Sequence, residues 1–402
     1  MGLPIGAKPS KHDKLLSHVT ILAMQTSPAL RSFFSVRYDL IDTGSVLPFD
    51  LFVNSSSLKE REKFVRIFPS GESLSSDDLE NLRKKYLQIY IPEDQRSLYM
   101  RSLVQSDQRD DTQKAHVIKD SALEYLGGIF DGKREFSTEL LEAGIEGCRE
   151  VVENMVDLLG EYGIDDLRGL ISNLSFHDFY TYDHSINVSM YCISIWKAAH
   201  PKAPRQDLVN IGLGGLLHDL GKVKIPTHIL NNPGGLTEAE YEQIKMHPDF
   251  GLELLLSGHV KVHHTIDVNV IARIVHEHHE NWNGTGYPTN KSEEEIHPMA
   301  RACTIADFFD AITTKRSYSQ VMLVADAVSV MKKFRGIKLE PWLFDVFEKH
   351  VDYVRSDIRK DITLSNHFDP TIPWAQLPLE EVKALQTADF GKIRVINNEK
   401  KK

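Results

Sequence analysis

The sequence predicts a mainly α fold, an all-α helical bundle preceded by a small N-terminal α/β domain. Three observations predict it. Strand-like runs stop before residue 106, and beyond a polar stretch at 106–112 the chain carries helical spacing almost throughout. Thirteen of the 18 histidines fall between His177 and His297, more than twice what an even spread would place there. A chain of 402 residues suits two or three units at roughly 150 residues each. With 41% hydrophobic and 26% charged residues, a disordered or collagen-like chain is excluded. A net charge of −10 argues against a broad basic surface and hence against DNA as a partner, while leaving room for a local cationic pocket.

Residues 1–30 show no period and read as a mobile N-terminal arm. The longest apolar run there, at 15–30, is interrupted by His18, Gln25, Ser27 and Pro28, so no membrane span is expected. Lys8, Lys11 and Lys14 lead into no apolar core with a cleavage site, and Gly6 stands where a myristoylation signal needs Ser or Thr. Cys148, Cys192 and Cys303 are odd in number and far apart, which suits a reducing compartment. The expectation is a soluble cytoplasmic protein.

Residues 31–105 read as a small α/β domain with a regulatory or protein-contact role. Residues 49–53 and 64–68 are strand-like, and Leu87, Ile89 and Ile91 alternate with Gln88 and Tyr90. Between them Ser75, with Asp78 three residues on, signals a helix start, and Leu74 and Leu79 fit a hydrophobic staple. Residues 106–136 form a linker and connecting helix, 137–350 the bundle, and 351–402 a C-terminal extension. Leu141, Ile145, Cys148, Val152, Met155, Leu159 and Tyr162 follow alternating steps of four and three. Such a seam fits a homodimer contact through the helix near 141–162 or an ordinary bundle helix packed in its own domain.

Within the histidine-rich stretch, His184, His218-Asp219, His247, His278-His279 and Asp307 recur at steps of 34, 29, 31 and 28 residues. A helical hairpin out and back takes about that length, so five separate points can return to one level of a bundle. Adjacent residues such as His218 and Asp219 lie about 100° apart on a helix, which suits one imidazole on a metal and a carboxylate bridging to the next. Imidazole with carboxylate ligation suits zinc, iron, manganese or nickel, and the lack of nearby cysteine argues against a structural zinc knot. His177 and His276 are candidates to orient a ligand from behind. His200, His228, His259, His263, His264 and His297 read as ordinary histidines.

The run Leu217-His218-Asp219-Leu220-Gly221-Lys222-Val223-Lys224-Ile225-Pro226 resembles the signature helix of the HD superfamily. Ile229-Leu230, Pro233-Gly234, Leu236-Thr237, His247-Pro248 and Gly251 resemble the HD-GYP family. So do His278-His279-Glu280 and Asn283-Gly284-Thr285-Gly286-Tyr287-Pro288, then Ile305-Ala306-Asp307-Phe308-Phe309-Asp310-Ala311 and Arg316. The likeness covers roughly residues 170–350. It implies an HD-GYP helical bundle and a metal-dependent phosphodiesterase that opens the bacterial messenger cyclic di-GMP to linear pGpG, with GMP as a further product. It further implies two divalent transition metal ions, iron first and manganese next, activating a bridging hydroxide. Carried over by motif, His184, His218, Asp219 and Asp307 hold one ion. Asp219, as the bridge, with His247, His278 and His279 holds the other.

Lys222, three residues after Asp219, is assigned to phosphate binding and to protonating the leaving oxygen, against the alternative of a surface lysine. Arg316 offers a planar fork for phosphate, against an ordinary helix-end arginine. Gly286 and Pro288 flank Tyr287 in a turn that could present a ring face to guanine and a hydroxyl to phosphate or ribose. Departures from the family pattern stand at Tyr180, where many relatives carry a carboxylate for a third ion, so a binuclear centre is expected. Others are Asn281, Asn283 and Ser317-Tyr318-Ser319. These keep two further readings open, a cyclic di-GMP receptor with little turnover and a hydrolase of another cyclic dinucleotide or phosphorylated nucleotide. Signalling proteins are expected partners.

Overall fold

The computed structural model describes residues 32–56, 63–130, 137–160, 181–230, 236–257, 263–313 and 324–351. It divides into two compact units between Arg96 and Ser97.

In the first unit, strands β1 (Phe33–Val36), β2 (Leu51–Asn54), β3 (Phe64–Phe68) and β4 (Ile89–Pro92) form one antiparallel sheet in the order β1-β4-β2-β3. Leu51, Ile89 and Ile91 are fully buried on its inner face. On the other face Phe33 stacks on Phe64 at 4.0 Å between ring centroids, and Phe52 and Tyr90 pack beside them. Helix α1 (Ser76–Lys85) starts where its cap demands, with the Asp78 amide donating to the Ser75 hydroxyl at 3.1 Å. Asp77 and Asp78 in its first turn and Arg83, Lys84 and Lys85 in its last complement the helix dipole. One local expectation changes. Leu87 lies ahead of β4 and is fully exposed, so the alternation that builds the strand begins at Ile89. Strand β1 carried no alternation of its own; it exists because its backbone pairs with β4.

The second unit is helical. Helices α2 (Arg96–Val104), α3 (Asp111–Phe130) and α4 (Thr138–Gly160) precede α5 (Thr181–Ala199) and α6 (Arg205–Leu217). Then come a 3-10 turn (Leu220–Lys224), α7 (Thr227–Leu230), α8 (Glu238–Ile244), α9 (His247–Leu256) and α10 (Val268–Glu277). Helices α11 (Pro298–Thr313), α12 (Val324–Lys332) and α13 (Pro341–Val351) follow. Helix α2 groups with this unit, and Ser97 hydrogen-bonds Glu150 of α4.

Helix α4 packs against α3 and α6, while Leu141, Ile145, Cys148, Val152, Met155 and Leu159 are all buried. That seam is consumed inside the chain and offers a second copy no exposed stripe; Tyr162 lies outside the described residues. Helix α6 is buried from Val209 to Leu217 without a break, the pattern of a helix enclosed on every side. It packs against α4, α5, α10 and α11, and so serves as the post from which the neighbouring helices are spaced. Among the described residues no helix is long and apolar enough to cross a membrane.

Candidate metal centre

Most of the clustered histidines sit where a helix begins or ends. His184 lies in the first turn of α5, His247 opens α9 ahead of Pro248, and His278 caps the end of α10. Helix α6 stops at Leu217, His218 is its cap, and Asp219 leaves the helix at φ −92°, ψ 9°. The pair therefore sits at the end of α6 and not within it. Asp219 opens the 3-10 turn that follows, and its carboxylate lies between two clusters. Asp307 alone comes from mid-helix, in α11.

The structure brings all seven side chains together. His184 Nε2 lies 3.1 Å from Asp307 Oδ1. Asp219 Oδ2 lies 3.3 Å from His218 Nε2, and its other oxygen, Oδ1, lies 3.4 Å from His247 Nε2. Candidate donor atoms of His184, His218 and Asp219 fall within 4.8 Å of one another, as do those of His247, His278 and His279. One carboxylate thus addresses both clusters, one oxygen to each.

Behind the rings, further contacts choose the tautomer. His218, His247 and His278 have Nδ1 within 2.8, 2.7 and 2.8 Å of the carbonyl oxygens of Gly215, Ile244 and Val275. A carbonyl only accepts, so each Nδ1 carries the proton and each Nε2 presents a lone pair. The Nε2 atoms of His247 and His278 then face each other at 3.3 Å with no proton to share. Asp219 Oδ1 is buried without a hydrogen-bond donor. Converging lone pairs and an orphaned carboxylate oxygen are costly in a protein interior unless a cation satisfies them. These residues fit divalent transition ions.

Burial favours the neutral ligating form. It pushes His247 down to about 3 and His278 down to about 4, and holds His279 well below its usual value. For Asp307, burial pushes upward, but the hydrogen bond and charge of His184 win and leave it at about 2. Asp219 likewise stays well below the carboxylate range, because His218 and the Lys222 ammonium outweigh its burial.

A pH dependence follows. Below the ordinary histidine value of 6.5 the unfolded chain takes up protons that the folded protein refuses down to about 4 at His278 and about 3 at His247. Stability of the metal-free protein is therefore full above that ordinary value and falls as pH drops through this window. Calorimetric scans from neutral to acid pH should show Tm descending steadily; a flat profile would contradict buried neutral imidazoles.

A rigid loop closes one side. The Tyr287 amide donates to the His279 carbonyl at 3.2 Å, and the Tyr287 ring stacks on the His279 imidazole at 4.8 Å between centroids. Gly286 permits this approach, since a Cβ there would sit 2.2 Å from the Asn281 nitrogen. The Tyr287–Pro288 peptide is cis. Buried Glu280 accepts from the Thr289 amide and hydroxyl at 2.7 and 2.6 Å and from the Lys291 amide at 3.0 Å, tying the loop to the ligand-bearing segment. Glu277 accepts from Arg273, Lys291 and the His297 amide, joining the end of α10 to the start of α11. Asn281 and Asn283 both bond Thr285 within the loop.

Lys222 Nζ donates to Asp219 Oδ2 at 2.6 Å, because Asp219 caps the 3-10 turn that carries Lys222 and residues three apart eclipse there. His276 turns to Asp249, with its Nε2 3.0 Å from Oδ1, and braces α10 against α9 instead of orienting a ligand. His177, Tyr180, Arg316 and residues 317–319 lie outside the described residues. Sequence reasoning missed Glu277 and quoted Glu280 without giving it a role. Their signal was acidic residues flanking His278-His279, whose partners are distant in sequence. Asp310 stood in the quoted run 305–311 but was given no role, and Asn187 was missed, since their partnership with His184 shows only once α5 and α11 are laid side by side.

Residues 177–343 match the family described as HD domain. The cyclic di-GMP phosphodiesterase PA4108 of Pseudomonas aeruginosa is 36% identical over 200 residues, covering 48% of this chain and 46% of that protein. The 3'3'-cGAMP-specific phosphodiesterase 3 of Vibrio cholerae is 31% identical over 170 residues, covering 42% of this chain and 35% of that protein. The chain thus spans less than half the length of these curated relatives. A solved structure, Bd1817, a HDG"Y"P protein from Bdellovibrio bacteriovorus, aligns with a TM-score of 0.49 and 18% identity, covering 80% of this chain and all of that one.

Proposed function

We propose that this protein is a metal-dependent phosphodiesterase that hydrolyses cyclic di-GMP to linear pGpG. The observation that carries the reading is Asp219, whose two oxygens address two imidazole clusters. His184, His218, Asp219 and Asp307 would hold one ion, and Asp219, His247, His278 and His279 the other. Iron, then manganese, suits this imidazole-carboxylate set. When bound, such ions supply Lewis-acid polarisation of a phosphate and acidify a water molecule.

The chain's own groups supply the rest. As water's oxygen bonds to phosphorus, the bond to the ribose oxygen breaks and that oxygen must gain a proton. Lys222 Nζ is the donor in reach of the centre, and its charge favours the phosphate before the proton moves. Tyr287 stacks one ring face on His279 and would offer its hydroxyl to the phosphate or ribose of a nucleotide. Gly286 and Pro288 fix that pose, and Arg316 would add a phosphate contact. Three free buried cysteines agree with a reducing compartment such as the cytoplasm.

Metal-loaded protein incubated anaerobically with cyclic di-GMP should yield pGpG on chromatographic separation; absence of any product rejects the proposal. Lys222→Met should keep its metal and lose roughly 10²–10⁴-fold in turnover. An unchanged rate would remove Lys222 from the chemistry. The likeness to a relative named for 3'3'-cGAMP favours a second reading, hydrolysis of a mixed cyclic dinucleotide. Competition between the two substrates in one reaction decides it.

A further inference from the structure

Three imidazoles of the centre are braced by backbone. His218, His247 and His278 each lean on the carbonyl three residues back, so their orientation comes with the chain turn itself. His184 is held differently. Its Nδ1 reaches across to Asp310 Oδ2 on α11 at 2.6 Å, while its Nε2 lies 3.1 Å from Asp307 Oδ1 on the same helix. Asp307 and Asp310, one helical turn apart, thus engage the two nitrogens of a single ring. Asp310 is wholly buried, and its Oδ1 accepts from Asn187 Nδ2 at 2.9 Å, one turn along α5 from His184. The His184 side chain is also more open to solvent, 15% exposed against 1% for His218 and none for His247.

We infer that Asp310 is the positioning residue of one half of the centre, required for the ion at His184 and Asp307 and dispensable for the ion at His247, His278 and His279. It keeps the proton on Nδ1, aims Nε2, and raises the basicity of the ring through its charge. Asn187 decides which Asp310 oxygen faces His184. This rests on the metal-centre reading above.

The test is a titration of chelator-stripped full-length protein with Mn²⁺, counting bound ions by electron paramagnetic resonance of free Mn²⁺. Wild type should take two ions per chain. Asp310→Asn removes the charge behind His184 and leaves one acceptor oxygen where two served Asn187 and His184 Nδ1. One ion should then bind about 10–100-fold more weakly while the other is unchanged. Asn187→Asp combined with Asp310→Asn exchanges donor and acceptor between the two positions and should restore the second ion, which a merely space-filling role for Asp310 would not achieve. Two ions bound with undiminished affinity in Asp310→Asn overturn the inference, as does equal weakening of both or a double variant no better than the single. Wild type that takes up no Mn²⁺ overturns the metal-centre reading and this inference with it.

Discussion

Asp219→Ala is expected to weaken both halves of the centre at once and to abolish hydrolysis. Among the described residues no other side chain sends separate oxygens toward separate imidazole clusters, 3.3 Å to His218 on one side and 3.4 Å to His247 on the other. Alanine also removes the partner of Lys222 and leaves an ammonium among buried imidazoles. Loss of a single preorganised electrostatic group commonly costs roughly 10²–10³ in rate, so a fall of at least about 10³ is expected. The check is metal content after dialysis, read beside nucleotide turnover on the same sample. Full occupancy in this variant would contradict a bridging carboxylate, and full activity would move the chemistry elsewhere.

Gly221→Ala is expected to cause a large loss of stability without touching a ligand. A Cβ at this position would lie 1.9 Å from the His247 carbonyl oxygen and 2.6 Å from the Gly251 nitrogen. Both are backbone, so nothing can rotate away, and the turn after Asp219 must separate from α9. That movement would carry His247 from Asp219. Overpacking of this kind costs up to about 3 kcal/mol, or roughly 6–12 °C in Tm for a domain of this size. Calorimetry of the metal-free variant measures it directly. A variant as stable as wild type would mean that the close approach of the turn to α9 is not maintained in solution.

The helical bundle and the site were legible to different depths. Helical spacing after residue 112 and the Ser75 cap predicted elements that are present, because caps and periodicity are local physics. The four-residue β1 was not legible, since its identity as a strand depends on pairing with β4, more than fifty residues away. The seam on α4 was ambiguous for the same reason: apolar spacing states that a face is buried but not by what. Its burial against α3 and α6 is a tertiary fact.

For the site, recurrence of His184, His218-Asp219, His247, His278-His279 and Asp307 at hairpin length was enough to nominate seven residues. The residue types alone limited the chemistry to imidazole and carboxylate ligation. What the sequence could not decide was how each ring is held. His276 and His278 look alike in sequence, yet one bonds Asp249 and the other faces His247. Asp307 and Asp310 look alike too, and only the packing of α11 on α5 assigns them to opposite nitrogens of His184. By itself, then, the sequence determined which side chains are available and roughly where the chain returns. Tautomer, orientation and the two-sided role of Asp219 belong to the tertiary structure, because they depend on ångström-scale distances between atoms that no local pattern brings together.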